Sequence, residues 1–443
     1  MNITQIAKAT SNCVGCGICV TACPVSHLRL GRNEWNQLEI LENENPCLEK
    51  CSICMRVCPF SDHSKNEDTL AKELFKETPQ SHSVLGSFIQ TYEGHHPDES
   101  KRWNAASGGL TTYLLDSLLQ QGMVDAIVCA ARTEGSPYFK SVVCRSSEEV
   151  YAHARSAYAV IHLDTALKEA IEDEQITSIA VVALPCQAKA LRNAMQYQPK
   201  LRKKLKYILG LVCGQQKSTN FADYLAAKSQ VDSLCSIDFR KKKSGRPNGN
   251  FGVSLIGGQR SKSLTFSDYG KEWSFKMFTL PACNVCDDIF AETADVVLMD
   301  AWLPEYQASD KGENLVIVRN KEFDSLLKGI STVHSIEPER VVLSQSYVVH
   351  TKRKWIQTAL KYYQQHQLLS PRKREVLLQQ PELLETYLNK VKTDISLHTD
   401  QLWIQANRDY HQFTRLFNKR YQKRLLIGLI LNKLHIIFNR KSK

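Results

Sequence analysis

Nothing in Asn2–Thr10 reads as an export leader: the stretch is polar and has no apolar centre of the kind a secretory signal carries. Long hydrophobic runs are missing too. The most apolar block, Leu425–Phe438, is interrupted at Asn432-Lys433 and is shorter than the ~20 residues a membrane-spanning helix needs. No strand followed by G-x-G-x-x-G occurs, which excludes the usual dinucleotide fingerprint. Acid is scarce in one place. From Gln401 to Lys443 ten Lys or Arg stand against one acid, Asp409, a balance of +9, while the other 400 residues carry 47 basic and 45 acidic side chains, +2. A neutral body with a basic tail argues against nucleic acid as a partner of the body and for an anionic partner of the tail alone. Without an export signal, fifteen cysteines indicate a reducing compartment, and a cytoplasmic location is expected. A chain of 443 residues exceeds a single core and should form two or three domains.

What the sequence has in quantity is ordered cysteine. Eight fall in the first 58 residues, as Cys13, Cys16, Cys19, Cys23-Pro24 and then Cys47, Cys51, Cys54, Cys58-Pro59. The first group is C-x2-C-x2-C-x3-C-P, in which three thiolates wrap one [4Fe-4S] cluster and the fourth reaches to its neighbour. Cys13, Cys16, Cys19 and Cys58 are therefore expected to hold one cluster, and Cys47, Cys51, Cys54 and Cys23 the other. The second group has one extra residue between Cys47 and Cys51, so its loop must bulge. Zinc modules use four ligands in spaced pairs, and a disulfide framework would need export. Neither fits.

Residues Ser61–Glu77 are polar and read as a linker or short helix. Beyond them helix and strand alternate. A helix over Ser107–Gly122 opens on two glycines, with Leu110, Tyr113, Leu114 and Leu118 on one face. Strands are expected at Val124–Ala130, Ile179–Leu184, Tyr207–Val212, Asp295–Leu298 and Leu315–Val318, with helices after Pro185 and near Asn220–Lys228. Residues 231–280 look like hairpins and loops. From about residue 350 the apolar spacing is helical, as in Trp355, Leu360 and Tyr363. This alternation favours an α/β (α+β) fold. The expected division is a ferredoxin-type module over 1–75, a flavin-binding core over 80–170 and 171–345, and a helical basic tail over 346–443.

Cys186 and Cys213 each fall just past the carboxyl end of an expected strand. In an open α/β sheet such ends lie side by side and form the ligand crevice. Downstream, Cys283-x2-Cys286 adds a tight pair. Four soft ligands suffice for another [4Fe-4S] cluster or for zinc, and spacing alone leaves both open. Cys129, Cys144 and Cys235 read as small buried hydrophobes.

Ala106-Ser107-Gly108-Gly109-Leu110 places unshielded amides at a helix start, where a pyrophosphate can sit. Together with SGGLTTYLLDSLLQQGMVDAIV, the motif LPCQAKALR, the segment GLVCG and CNVCDDIFAETADVVLMDAW follow in order. Over roughly residues 80–330 these stretches resemble the coenzyme F420 hydrogenase/dehydrogenase beta-subunit family, relatives of plant hydroxymethyl-chlorophyll reductase. The resemblance implies an FAD-dependent iron–sulfur oxidoreductase. It implies flavin contacts from Ser107, Gly108, Gly109, Ser156, Tyr158 and Gln187, and a flavin-proximal cluster on Cys186, Cys213, Cys283 and Cys286. Three departures argue against a deazaflavin. Ala157 stands where the family's Ser-Lys/Arg-Tyr stretch has its basic residue, Arg246 where a tryptophan is usual after the Arg-x-Lys element at Arg240, and Met299-Asp300-Ala301-Trp302 where Gly-Asp-x-Trp is common.

On this reading a reduced ferredoxin or other redox protein feeds the N-terminal clusters. Electrons reach FAD through the core cluster, and a small or carbohydrate-linked organic substrate is reduced. Asp300 and Tyr158 are the candidate proton donors. His95 and His96 read as solvated loop residues, and Lys241, Lys242 and Lys243 as a basic loop able to meet an anionic substrate or an acidic partner. The tail reads as an interfacial helix on an anionic leaflet or as a helix packed on protein. The competing functions are a non-catalytic electron-relay subunit and a cluster-bearing scaffold at the membrane.

Overall fold

The computed structural model describes residues 3–368, 371, 374 and 383–441. In the cysteine-rich segment, strand β1 (Leu28–Arg32) pairs antiparallel with β2 (Leu38–Glu42). The Asn33 carboxamide closes the turn between them, accepting from the amides of Trp35 and Gln37 at 3.0 Å each. This hairpin separates the two cysteine groups, each of which runs into a short helix, Ile18–Thr21 or Ile53–Val57. The polar stretch after them forms the helix Glu67–Leu74, capped by the Asn66 side chain on the Thr69 amide at 2.9 Å. A small hairpin, β3 (Gln80–His82) with β4 (Gly86–Phe88), leads into the body.

The body is built on one eight-stranded sheet. Its strands are β5 (Gln90–Gly94), β6 (Ala126–Arg132), β7 (Phe139–Cys144), β8 (Ile179–Ala183), β9 (Leu205–Leu211), β13 (Val296–Asp300), β14 (Asn314–Val318) and β15 (Val333–Ser335), and a separate antiparallel trio comprises β10 (Ser236–Lys241), β11 (Gly252–Ile256) and β12 (Ser261–Thr265). Across the large sheet the order is β15-β5-β14-β13-β9-β8-β6-β7. The inner four, β13, β9, β8 and β6, run parallel, and the flanking strands are antiparallel. The sheet therefore joins 80–170 and 171–345 into one body.

Alternation along the inner strands sends side chains to two separate cores. Val128, Val181, Ile208 and Val297 face one; Ile127, Ala180, Leu209 and Leu298 face the other. The second face is covered by the helices Leu110–Gln120 and Lys321–Lys328. The first carries the helices Asp164–Glu172, Pro185–Ala194 and Asn220–Lys228, and the N-terminal module packs on the same side through Val14, Ile18 and Val57. Ile18 and Val57 are fully buried, each contributing about 1.5–3 kcal/mol of apolar burial.

The expected helix at Ser107 starts three residues later, because Ser107–Gly109 form the turn before it. Residues 231–280 hold more order than expected: besides the trio they contain the helix Phe266–Ser274, closed by a capping box of Thr265 and Asp268. The described residues after 345 are mainly helical as expected, with 369–370, 372–373, 375–382 and 442–443 lying outside the described residues, and the helices pack on the body. Phe413, Phe417, Tyr421 and Leu425 recur every fourth residue on the helix Tyr410–Lys441 and are buried. Phe413 stacks on Phe278 at 5.7 Å. Asp400, on the helix Leu383–Gln405, accepts from Gln37 of the module at 2.7 Å and from Ser218 of the body at 2.6 Å. Among the described residues no helix is long and apolar enough to cross a membrane.

Candidate cluster sites and cofactor crevice

Cys13, Cys16, Cys19 and Cys58 line one cavity of about 530 Å³, walled by Ile3, Ile40, Val57 and Phe60. The thiols act on one another there: Cys13 and Cys58 on Cys16, and Cys16, Cys58 and Cys13 on Cys19. Burial pushes Cys58 up to about 12 and raises Cys13, Cys16 and Cys19 as well. Thiols this reluctant to ionise serve as ligands when a metal displaces the proton. The chain wraps the cavity closely. Gly17, at φ +77°, leaves no room for a Cβ, which would meet the Asp164 carboxylate at 2.4 Å.

The second set also gathers. Cys51, Cys23 and Cys47 act on Cys54, which burial pushes up to about 11. The extra residue of this group is absorbed by a turn in which the Cys51 amide bonds Leu48 O at 3.2 Å and Lys50 takes φ 56°. Among the described residues no three His, Cys, Asp or Glu converge as the ligands of a single ion do. The first four thiols line one cavity together.

β8 and β9 are parallel neighbours, with Ala183 opposite Gly210, so Cys186 and Cys213 emerge side by side at their carboxyl ends. The 3-10 turn Pro281–Val285 brings Cys283 and Cys286 to them. Cys286, Cys213, Cys16 and Cys283 all act on Cys186, so this quartet adjoins the inner N-terminal one. Burial pushes Cys213 up to about 12. Buried lysines surround the quartet. Burial presses Lys217 down to about 7, and burial with the Lys392 ammonium presses Lys276 down to about 8. Burial also works against the Lys352 charge, yet the thiols of Cys286, Cys213 and Cys283 outweigh it and hold its pKa above the usual lysine range. Ammonium groups buried this way call for an anion among them, and a tetrathiolate centre is one.

Beside Cys213, Arg155-Ser156-Ala157-Tyr158, β10 and the end of β13 come together as the candidate flavin site. Ser156 bridges to Phe239, and Tyr158 packs on Phe239 and Trp273 with centroids 5.1 and 5.0 Å apart. A bulge between Phe239 and Lys241 puts Arg240 at φ 64°, an uncommon conformation for a non-glycine residue. Its side chain is 0% exposed and donates to Asp300 at 2.7 Å. The guanidinium lies 4.2 Å from the Phe251 ring centroid and 5.0 Å from that of Trp302. Arg240 Nε and Nη1, Asn248 Nδ2 and the Tyr269 hydroxyl are buried here without a partner from the chain. Such orphans are costly, and the carbonyl oxygens and ring nitrogens of a flavin supply the acceptors they lack. Burial pushes Tyr158 up to about 12, with the Arg240, Asp300 and Cys213 charges also acting on it. The two candidate proton donors therefore stand about one arginine.

The remaining expected contacts are placed differently. Gln187 spends its amide on the chain, accepting from Leu184 N at 2.9 Å and donating to Ile161 O at 2.8 Å. Ser107 donates to Glu313 O at 2.7 Å. A Cβ on Gly108 would meet Asn314 N at 2.8 Å and Gly94 O at 2.9 Å, and the Asn314 carboxamide takes the Leu110 amide at 3.1 Å. These glycines are thus accounted for by close packing. Of the three loop lysines, Lys242 turns inward onto the carbonyls of Arg102 and Ser107 at 2.6 Å each, and burial pushes it down to about 7.

His96 is not a solvated loop residue. It is buried and pairs with the Tyr151 hydroxyl at 3.0 Å, while His95 meets Glu313 at 2.9 Å. Both serve the loop before the glycine turn. Cys129 and Cys144 are buried, their sulfurs 3.6 Å apart, whereas Cys235 is exposed and so does not belong with them. Sequence reasoning missed Arg240 as a site residue and the lysine shell altogether.

Residues 91–168 match the family model described as coenzyme F420 hydrogenase/dehydrogenase, beta subunit N-term, and residues 176–342 match the companion model for the C terminus of the same beta subunit. Residues 8–26 match a 4Fe-4S binding domain. Coenzyme F420 hydrogenase subunit beta of Methanococcus voltae is 23% identical over 289 residues, covering 60% of this chain and 96% of that one. The subunit of that name from Methanothermobacter thermautotrophicus is 26% identical over 253 residues, 55% of this chain and 82% of its own. A chain in the xenon-derivatised F420-reducing [NiFe] hydrogenase complex from Methanosarcina barkeri shares the fold. Its TM-score is 0.50 at 18% identity, over 65% of this chain and 94% of that chain.

Proposed function

The chain belongs to the coenzyme F420 hydrogenase/dehydrogenase beta-subunit family, and from that premise we propose that it is an iron–sulfur flavoprotein oxidoreductase linking a ferredoxin-like donor to an organic substrate. The residues that would hold its cofactors are the two N-terminal quartets and the core quartet for [4Fe-4S] clusters, with Arg240, Ser156 and Tyr158 for FAD. Bound clusters exchange single electrons and bound flavin stores two, which matches a one-electron donor to a two-electron reduction.

One observation carries this reading: the four sites are contiguous. Cys54 acts on Cys19, Cys16 on Cys186, and Cys213 on Tyr158. The outer quartet, the inner quartet, the core quartet and the crevice therefore form a chain of neighbours. Within the crevice, Arg240 offers its free N–H groups to a bound acceptor and fixes Asp300. Tyr158 keeps its proton at neutral pH and can deliver it to a reduced substrate. Phe251 and Trp302 wall the site.

The test is anaerobic. Protein reduced by ferredoxin is mixed with organic acceptors, a deazaflavin among them, and return of the oxidised flavin absorbance is followed. Reoxidation by an organic acceptor without another protein supports the proposal. Bound flavin that no acceptor reoxidises without a partner supports the second reading, an electron-relay subunit, which the relatives' names as hydrogenase subunits favour.

We propose for the C-terminal helix a further partner, the anionic inner face of a membrane met from the cytoplasm. Its outer side exposes Leu426, Ile427, Leu429, Ile430 and Leu434, with Leu426 59% exposed. Lys419 and Lys423 precede this stripe and Lys433 interrupts it, the pattern of an interfacial helix. Co-sedimentation with phosphatidylglycerol vesicles but not with phosphatidylcholine ones is expected.

A further inference from the structure

We propose that Lys352 sets the reduction potential of the centre held by Cys186, Cys213, Cys283 and Cys286, a role supplied by the C-terminal helices that follow the residues matching the family model. The inference rests on the reading of those four cysteines as ligands of a [4Fe-4S] cluster. Lys352 lies beyond residue 342, where the family match ends. It is 3% exposed, and its Nζ donates to Cys286 Sγ at 3.2 Å and to Asp288 O at 3.0 Å. Among the described residues it is the one side-chain cation with a hydrogen bond to a core thiol. Lys276 lines the same cavity of about 290 Å³, but its ammonium bonds the Asn284 carboxamide at 3.0 Å.

The local backbone is built to place this group. Thr351–Trp355 is a π-helical turn between the helices Ser346–His350 and Ile356–Gln365. Such turns are rare and frequently mark functional sites. Arg353 anchors the turn on Glu292 at 3.4 Å, and the Tyr363 hydroxyl, one helix further on, donates to Pro281 O at 3.0 Å at the start of the cysteine turn. Ligand loop and lysine are thereby held in one frame.

The chemistry follows from charge. One-electron reduction adds a negative charge to the centre and requires no bond change. A cation and an N–H donor at a ligand sulfur stabilise the reduced form more than the oxidised one, and hydrogen bonds to the sulfurs are a recognised control of cluster potential.

The test is a dithionite titration with mediator dyes, followed by electron paramagnetic resonance, on the full chain and its K352M and K352R variants. K352M is expected to make reduction of the core centre at least tenfold less favourable, a downward shift of about 59 mV or more for one electron. K352R, which keeps charge and donors, recovers most of it. The N-terminal centres do not move. K276M shifts the core centre less than K352M. A K352M protein with full iron content and an unmoved core midpoint overturns the proposal. If K352M does not assemble the centre, K352Q takes its place: a lowered midpoint supports the proposal and an unchanged one overturns it. Wild-type protein showing only two centres, with about eight irons, instead refutes the reading of the core cysteines.

Discussion

The two N-terminal quartets each offer four cysteines and differ most in one member, Cys16 being buried and Cys47 exposed. Cys16 of the inner quartet is 9% exposed, its carbonyl bonded by the Leu163 amide at 2.8 Å, and the helix bearing Cys186 packs beside it. Lys189 reaches across to Pro59 O at 3.0 Å. In the outer quartet Cys47 is exposed, next to Leu48 at 51% exposure. Spacing separates the two by a single residue between Cys47 and Cys51, and packing divides them further. The inner set is part of the junction with the body, and the outer set has a member, Cys47, exposed at the surface.

The largest test of that contrast is to break each quartet in turn. C16A and C47A should each lose about four irons. C16A should also lower stability by about 3 kcal/mol or more, because it breaks the set packed at the junction, whereas C47A, at an exposed position, should lower it less. Anaerobic thermal unfolding reads both, and equal losses would erase the distinction. Next in size, R240M should retain the iron of both quartets and bind flavin about 10- to 100-fold more weakly. The loss corresponds to about 1.5–3 kcal/mol for a charge-assisted donor.

The inner quartet also has a pH signature in the metal-free protein. Its thiols titrate above their ordinary 9.0 when folded, Cys58 at about 12. A raised folded pKa gives stability that is fully present below pH 9 and is lost as pH climbs toward 12. Apoprotein should therefore unfold progressively more easily through that window. Protein loaded with iron has already released those protons and should not. Smaller still is D400A, which leaves Gln37, Ser218 and Asn220 without their acceptor and should cost about 1–3 kcal/mol in unfolding free energy, loosening the inner quartet's side of the molecule before the outer. Smallest is L426E/I430E, which should abolish sedimentation with anionic vesicles while altering stability by less than about 0.5 kcal/mol.

Legibility in the sequence followed locality. The grouping of the N-terminal cysteines could be read because three of each quartet sit on one loop, and the rule that sends the fourth to the neighbouring set places Cys58 with Cys13, Cys16 and Cys19, as it is found. Cys186 and Cys213 were legible one step further, through the rule that parallel strand ends lie together, and β8 and β9 are neighbours. The alternating strands were found at most within a few residues of their bounds. Arg240 was legible as a motif residue but not as a buried one, since its burial depends on a bulge at φ 64°. Lys352 was invisible because its partner Cys286 is 66 residues away and only the fold joins them. The glycine pair carries a packing role that its sequence did not show. Amides at a helix start suggest an anion, yet Asn314, brought in by a distant strand, already occupies the first of them. Spacing left the tail open between a membrane surface and packing on protein; Phe413, Phe417, Tyr421 and Leu425 are spent on the body, while Leu426, Ile427, Leu429, Ile430 and Leu434 face outward.

The central claim is that four contiguous sites in one chain hold three cubanes and a flavin. Quantifying iron, sulfide, zinc and flavin in protein purified without oxygen tests it most directly. About twelve irons, about twelve sulfides and one FAD per chain are the predicted content. Zinc in place of iron, or a preparation devoid of flavin, would contradict it.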